Sequence, residues 1–334
     1  MRKRRERIDR GIKVRSEDIS ALISWKEMLY LAGPRLIPVL ALGILPLVLG
    51  LYSQKVLLSV AIFALLAITW DLLAQCGMVS LGQSFFFGIG AYLSGIMNHY
   101  LGWSPLLTIP VATVVGGAFS TIVIWPILKL RGVYFAMFTM ILPMMLVRTI
   151  EATKIFGGTE GISGLDPLPS RWVELYLIMA VLVAVLFGFR RLMGSDFGLV
   201  LKGINDNDLS VMSSGFRIQL YKAIGLFLAA SVGAFSGAFM SHVYMVVGMA
   251  MFSLDYSMLP IAAAVVGGVG TFAGPMLGAF ILVPISEVLR GIGGLRIALY
   301  AIFLLVFVVG FPEGIFQYLK RKYFQSERFV EVEK

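Results

Sequence analysis

The sequence predicts an all-α, polytopic membrane protein of about ten transmembrane helices, arranged as two inverted five-helix halves. Three observations carry that reading. First, the 334 residues are 58% hydrophobic and only 14% charged, with a mean hydropathy of +0.88. A soluble domain carries about a quarter charged residues, so a compact chain this long would lack the charge to cover its surface in water. Second, apolar runs recur along the whole chain, and basic residues collect in the gaps on one side. Third, a short motif in the first half echoes one in the second. The 36 glycines suit close helix packing in a bilayer, where small residues let backbones approach.

A helix needs about 20 apolar residues to cross a hydrocarbon core of about 30 Å. The candidate spans are Leu36–Leu51, Val56–Ala74, Phe85–Met97, Pro105–Trp125 and Val133–Val147 in the first half. Glu174–Phe189, Ala223–Val246, Met258–Gly270, Phe272–Leu289 and Leu295–Gly310 follow in the second. All are read as helices, because an open sheet edge cannot face lipid. Met258–Gly270 covers only about 20 Å at the helical rise and is expected to be a short or broken helix. The resulting organisation is a basic N-terminal segment (1–35), a transmembrane domain (36–315) and a tail (316–334).

Charge fixes the orientation. With the N-terminus inside, 22 of the 28 Lys and Arg fall in 1–35, Lys129–Arg131, 190–222 and the tail. Six (Lys55, Arg148, Lys154, Arg171, Arg290 and Arg296) fall on the opposite side. This asymmetry supports an even number of crossings in the cell membrane with both termini cytoplasmic. The net charge of +9 therefore reports membrane orientation and not a nucleic-acid partner. Five acids (Glu6, Asp9, Glu17, Asp18 and Glu27) are mixed into the first 35 residues, which fits a solvated juxtamembrane segment of the mature protein, not a signal peptide.

Two loops exceed a simple turn. Residues 148–173, with Gly157-Gly158-Thr159-Glu160-Gly161, form the main outside loop. Residues 190–222 form the main inside loop and carry apolar positions at Leu199, Val200, Ile204, Leu209 and Met212. Ser195 or Asp196 can start a helix there and Gly215 can end it. Such a helix can lie on the membrane, dock into a partner, or simply connect two spans.

The internal echo relates Ser80-Leu81-Gly82-Gln83-Ser84 to Ser253-Leu254-Asp255-Tyr256-Ser257. Each precedes an apolar, glycine-bearing segment. Five proposed crossings lie between them, so the two copies face opposite ways, the relation expected of an inverted repeat.

The chemistry of an enzyme is missing. No G-x-x-x-x-G-K-[ST] phosphate loop, G-x-S-x-G elbow or H-E-x-x-H zinc motif occurs. Cys76 is the only cysteine, and His99 and His242 are too few to suggest a metal site. Intramembrane charge is limited to Asp71 and to Glu287, three residues before Arg290. An ion-coupled carrier shows ionisable groups along its ion path. Asp71 and Glu287 can serve that way, or they can be a helix-end group and a paired structural group. The reading that follows is a passive pathway, with no cofactor, whose energy source lies elsewhere.

Ordered motifs across residues 70–315 resemble the membrane permease subunits of branched-chain amino-acid ABC importers, in the LivM-like branch. They are Ser80–Tyr92 (SLGQSFFFGIGAY), Leu130–Met137 (LRGVYFAM) with Thr139, and Gly157–Ile162. Phe197–Gly215, Val266–Thr271 with Gly274-Pro275 and Gly278-Ala279, and Phe311–Ile315 continue the series. Departures occur at Lys202, Asn205, Asp206 and Asp208, less basic than usual in this family. A second departure, Ile141-Leu142-Pro143-Met144-Met145, leaves urea, short-amide and simple-sugar permeases as alternatives.

The resemblance implies a complex of two permeases and two ABC ATPases, fed by an external substrate-binding protein, that imports leucine, isoleucine or valine. Residues 196–215 would be the coupling helix, with Leu199, Leu209 and Met212 as apolar contacts to the ATPase. Lys202, Asn205, Asp206 and Asp208 would be its polar contacts. The substrate pathway would be lined by Ser80, Gln83, Ser84, Gly88 and Gly90 from one half, and Ser253, Asp255, Gly267 and Gly268 from the other. For each serine and glycine alone, helix packing is the competing role. An ion-coupled carrier using Asp71, Asp255 or Glu287 is the alternative mechanism.

Overall fold

The computed structural model describes residues 2–7, 42–289, 313–323 and 327–332, with a few positions between 302 and 310. Most of the N-terminal segment, the start of the first predicted span and most of Leu295–Gly310 lie outside the described residues. Residues 42–48 of that first span are helical.

The first helix, α1 (Leu51–Gln75), is apolar on every side and has 16 buried residues, so it forms the centre of the bundle. Its 25 residues reach about 37 Å, enough to cross a bilayer core. After the turn at Cys76–Gly82 comes α2 (Gln83–Leu101). Helix α3 (Pro105–Ile124) opens on a proline, whose missing N–H costs nothing in a first turn, and tightens into a 3-10 turn at Trp125–Lys129. Helix α4 (Val133–Thr153) follows. Helix α5 (Arg171–Met193) is capped by the Ser170 hydroxyl on the Val173 N–H and carries Arg190 and Arg191 in its last turn, against the negative end of its dipole.

The inside loop folds as α6 (Asp196–Ser213), as its apolar spacing predicts. Gly215, at φ 86°, terminates it. Helix α7 (Ile218–Tyr244) is the longest at 27 residues. Beyond it, a 3-10 turn at Met249–Phe252 leads to α8 (Asp255–Gly267), then α9 (Ala273–Leu289) and a short α10 (Ile315–Tyr323). The predicted short span falls on a short helix, Asp255–Gly267, set off from the preceding 3-10 turn at Ser253–Leu254.

Two small antiparallel pairs complete the chain. β1 (Arg2–Arg7) pairs with β4 (Glu327–Val332), which places the two ends of the polypeptide side by side. β2 (Ile162–Ser163), in the outside loop, pairs with β3 (Val246–Val247), just after α7. Among the described residues, six helical stretches are long and apolar enough to cross a membrane: α1, Pro105–Lys129, α4, α5, α7 and Met249–Gly267. Helix α9 is apolar but shorter. The protein is an all-α polytopic membrane protein.

Helix α2 packs closely against α7. A side chain at Gly90 would collide with the Ala234 backbone, and one at Gly237 with the Phe87 carbonyl. These glycines let the two backbones touch, as expected of helix contacts in lipid.

Candidate functional site

The echo motifs meet. Ser84, in the first turn of α2, donates its backbone N–H to the Ser257 Oγ at 3.0 Å, and the Ser257 hydroxyl donates to the Ser84 Oγ at 3.1 Å. The first N–H groups of a helix have no partner within it, so Ser257 from α8 satisfies one of those on α2. Both serines are fully buried. Around them, the Thr69 hydroxyl of α1 lies 3.3 Å from the Gln83 Oε1, and Trp70 donates its indole N–H to the Ser80 carbonyl at 2.8 Å. From α4, the Thr139 Oγ1 accepts the Leu81 N–H at 3.1 Å. Among the described residues the buried Gln83 Nε2 has no hydrogen-bond partner. Residues from α1, α2, α4 and α8 thus build one polar junction inside an apolar bundle.

Of the nine predicted pathway residues, Ser80, Gln83 and Ser84 belong to this junction, and the structure shows all three closed off from solvent. The remaining positions are placed differently. Gly88 faces the Phe252 ring, which would occupy the same space as a side chain there, so Gly88 receives Phe252 and lines no gap. Gly90 packs on Ala234. Gly267 packs on Gly274 of α9, and Gly268, at φ 107°, sits under Glu313 and Gly314. At each of these glycines a neighbouring backbone or ring fills the open side, so in this structure all four pack. Ser253 is half-buried at the break, and Asp255 is exposed in the first turn of α8, where the helix dipole favours an acid. Sequence reading passed over Thr69, Thr139 and Ser257. Ser257 closes the echo motif and Thr139 follows the YFAM motif, so both carried a signal.

Two buried polar groups fasten the ends of the bundle. Asp71, near the end of α1, accepts the Gly270 N–H at 2.6 Å, the Phe272 N–H at 3.0 Å and the Gln75 amide at 3.0 Å. Its carboxylate caps the turn between α8 and α9, and Phe272 there holds a left-handed φ of 55° that a bulky residue rarely adopts. Asp71 is therefore a structural group of the kind that competes with an ion-path role.

At the opposite end, the His242 Nδ1 lies 2.7 Å from the Asp166 carbonyl, and its Nε2 lies within 2.9 Å of Ser94 and Thr108 hydroxyls. A carbonyl only accepts, so Nδ1 carries the proton and Nε2 receives hydroxyl donors. Asn98 and Asp166 add two reciprocal bonds of 2.9 Å. The outside loop is thereby pinned to α2 and α7. Glu287 accepts a bond from the Tyr52 hydroxyl at 3.3 Å, while its predicted neighbour Arg290 lies outside the described residues.

Helix α6 presents two faces. Gly198, Leu201 and Ile204 are buried against the bundle. Leu199, Leu209 and Met212 are exposed at 62%, 57% and 58%, and Lys202, Asn205 and Asp206 are exposed beside them. Asp208 is half-buried and pairs with Arg131 at 2.8 Å. The helix is not continuous, as its sequence spacing suggested. Asn207 leaves the helical conformation (φ −158°, ψ 98°), and its Oδ1 accepts the N–H groups of Leu209 and Ser210. It acts as a side-chain cap inside the segment, a use asparagine favours over continuing a helix.

Comparison with known proteins places this arrangement. Residues 52–311 match the family model described as the branched-chain amino acid transport system / permease component. The chain belongs to that family. The junction at Ser84 and Ser257, Asp71, His242 and the whole of α6 fall inside the stretch that matches this permease family. Its relatives include the high-affinity branched-chain amino acid transport system permease protein LivM of Escherichia coli K12 and its counterpart in Salmonella typhimurium LT2. Each is 25% identical over 270 residues, covering 72% of this chain and 64% of the relative. A probable LivM of Methanocaldococcus jannaschii is 25% identical over 227 residues, covering 61% of this chain and 66% of the relative. The chain thus spans slightly less than two thirds of the length of the two bacterial relatives. No solved structure matches it.

Proposed function

We propose that this protein is a translocation subunit of an ATP-driven ABC importer for branched-chain amino acids. Family membership over residues 52–311 is the observation that carries the reading, and the LivM names of the relatives supply the substrate class. In this reading the chain has ten crossings in two inverted halves, a domain running from 36 to 315 and both termini in the cytoplasm. The contact between Ser84 and Ser257, equivalent positions of the echo, supports the inverted halves. The antiparallel pairing of β1 with β4 supports termini on one side.

The chain hydrolyses nothing itself. Its partners are ABC ATPases docked on α6 through Leu199, Leu209 and Met212, with Lys202, Asn205, Asp206 and Asp208 at the polar edge. A sister permease and an external substrate-binding protein complete the assembly. Exposed apolar side chains on a helix otherwise anchored by Leu201 and Ile204 support the docking assignment. Solute passes near the junction of Ser80, Gln83, Ser84 and Ser253 once the closed bundle parts, with Asp255 at the head of α8. The pathway does not need Asp71 as an ion carrier, because Asp71 is engaged by the α8–α9 turn.

The test is purification through a tag on this chain, followed by reconstitution and uptake of labelled leucine. ATP-dependent uptake by a complex containing an ATPase is the expected result. Uptake of urea or a simple sugar in place of leucine transfers the assignment to that substrate.

A further inference from the structure

We propose that the ion pair between Arg131 and Asp208 is a strut that carries movement of the distal part of α6 into α4, with Asn207 as its joint. The proposal rests on the reading of α6 as the ATPase docking element. Three features of the structure converge on it.

The joint comes first. Asn207 divides α6 into a proximal part held by buried Gly198, Leu201 and Ile204 and a distal part, 208–213, in which no residue is buried. The distal part carries two of the exposed apolar positions, Leu209 and Met212. Because the Asn207 side chain caps it independently, this turn keeps its own shape when its angle to the proximal part changes.

The link comes second. Asp208 is the first residue past the joint, and its Oδ2 lies 2.8 Å from an Arg131 Nη. The Arg131 side chain is 62% exposed and the Asp208 side chain 16%. Water reaches the guanidinium while the carboxylate is mostly enclosed, so the pair is screened from the arginine side and the bond can be remade within a working cycle. Lys222 at the base of α7 is buried within electrostatic reach of both, and offers Asp208 a second cation when Arg131 moves away.

The receiver comes third. Arg131 is followed by Gly132, whose φ of 53° and ψ of −127° suit glycine, and α4 begins at the next residue. Nothing lies within 4 Å of the place a Gly132 side chain would take, so no neighbour packs against that side of the junction. Six of the 21 residues of α4 are buried within this chain, so the rest of the bundle encloses little of it. Thr139, one of those six, binds the Leu81 N–H beside Ser84. A push on 208–213 is therefore delivered through Arg131 to α4, and through Thr139 to the junction of the two halves.

The experiment uses the complete importer, purified through a tag on this chain and reconstituted in vesicles. Labelled leucine uptake, ATP hydrolysis and ATPase content are read from the same preparation for Arg131→Glu, Asp208→Arg and the double exchange. Arg131→Glu is expected to lower leucine moved per ATP by about fivefold or more, with ATPase content unchanged. Asp208→Arg, at the edge of the ATPase contact, is read per ATPase bound and is expected to show the same loss, and the double exchange to recover it. The milder Arg131→Gln gives the same direction should a charge reversal fail to assemble. A wild-type ratio in the single variants, no recovery in the exchange, or loss of the ATPase in Arg131→Glu overturns the strut. Leu209→Asp with Met212→Asp separates the two levels of the argument. If that variant keeps its ATPase, the docking reading fails and the strut falls with it. If it loses the ATPase while Arg131→Glu keeps a wild-type ratio, the strut alone is wrong.

Discussion

Ser84 and Ser257 lie 173 residues apart in sequence, yet each hydroxyl contacts the other and Ser257 caps the first turn of the helix that carries Ser84. The two occupy the same place in the two echo motifs, so the halves of the molecule close on each other through equivalent residues. The exchange is repeated at both ends. Asp71 on α1 binds the turn after α8, and His242 on α7 binds the region at the end of α2. Each half fastens an element of the other.

Ser257→Ala removes the acceptor of the Ser84 N–H and leaves a buried donor unsatisfied. It is expected to cost about 1–3 kcal/mol. Ser84→Ala keeps that backbone donor paired and costs less. The double variant falls short of the sum, because the residues share one interaction. Thermal unfolding of the detergent-solubilised protein measures all three.

Asp71→Ala leaves the Gly270 and Phe272 N–H groups without their acceptor, and folded protein is expected to fall sharply. Asp71→Asn keeps one acceptor oxygen and is the milder change. In the Asn variant, leucine uptake per folded complex is expected not to depend on a proton gradient. Dissipating the gradient with an ionophore during uptake checks this against the ion-coupled alternative.

Glycine substitutions separate packing from open positions. Gly90→Ala drives a methyl group into the Ala234 backbone and is expected to destabilise by about 1–3 kcal/mol or more. Gly188→Ala, in α5 with nothing within 4 Å, is expected to be neutral or to gain about 1 kcal/mol of helix propensity. Melting temperatures of the two variants side by side give the contrast.

His242→Ala removes the bond to the Asp166 carbonyl and one partner each of the Ser94 and Thr108 hydroxyls, so the outside loop 148–170 loses its side-chain anchor on α7 and is held to α2 by Asn98 alone. Faster cleavage within that loop by an externally added protease, with unchanged cleavage on the opposite face, is the expected result.

The apolar runs made the helices legible, since a bilayer demands length and hydropathy and little else. The two long loops, the shortness of the helix at Met258 and the amphipathic face of α6 were legible for the same reason. The cross-half contacts were not. Asp71 looked like a lone intramembrane acid because its partners are backbone N–H groups 199 and 201 residues away. Gly88 and Gly90 gave the same sequence signal as pathway glycines, and only Phe252 and Ala234 opposite them show that they serve packing. The joint at Asn207 hid in the run Asn205-Asp206-Asn207-Asp208, where several residues have side chains able to cap and position alone does not choose among them.

The central claim is that this chain moves branched-chain amino acids only as part of an ATP-driven complex. Its most direct test is labelled leucine uptake into vesicles holding either the chain alone or the complex purified through it, with and without ATP inside the compartment that α6 faces. Uptake by the complex with ATP, and none by the chain alone under any ion gradient, is the result expected. Uptake by the chain alone, driven by an ion gradient and indifferent to ATP, contradicts it.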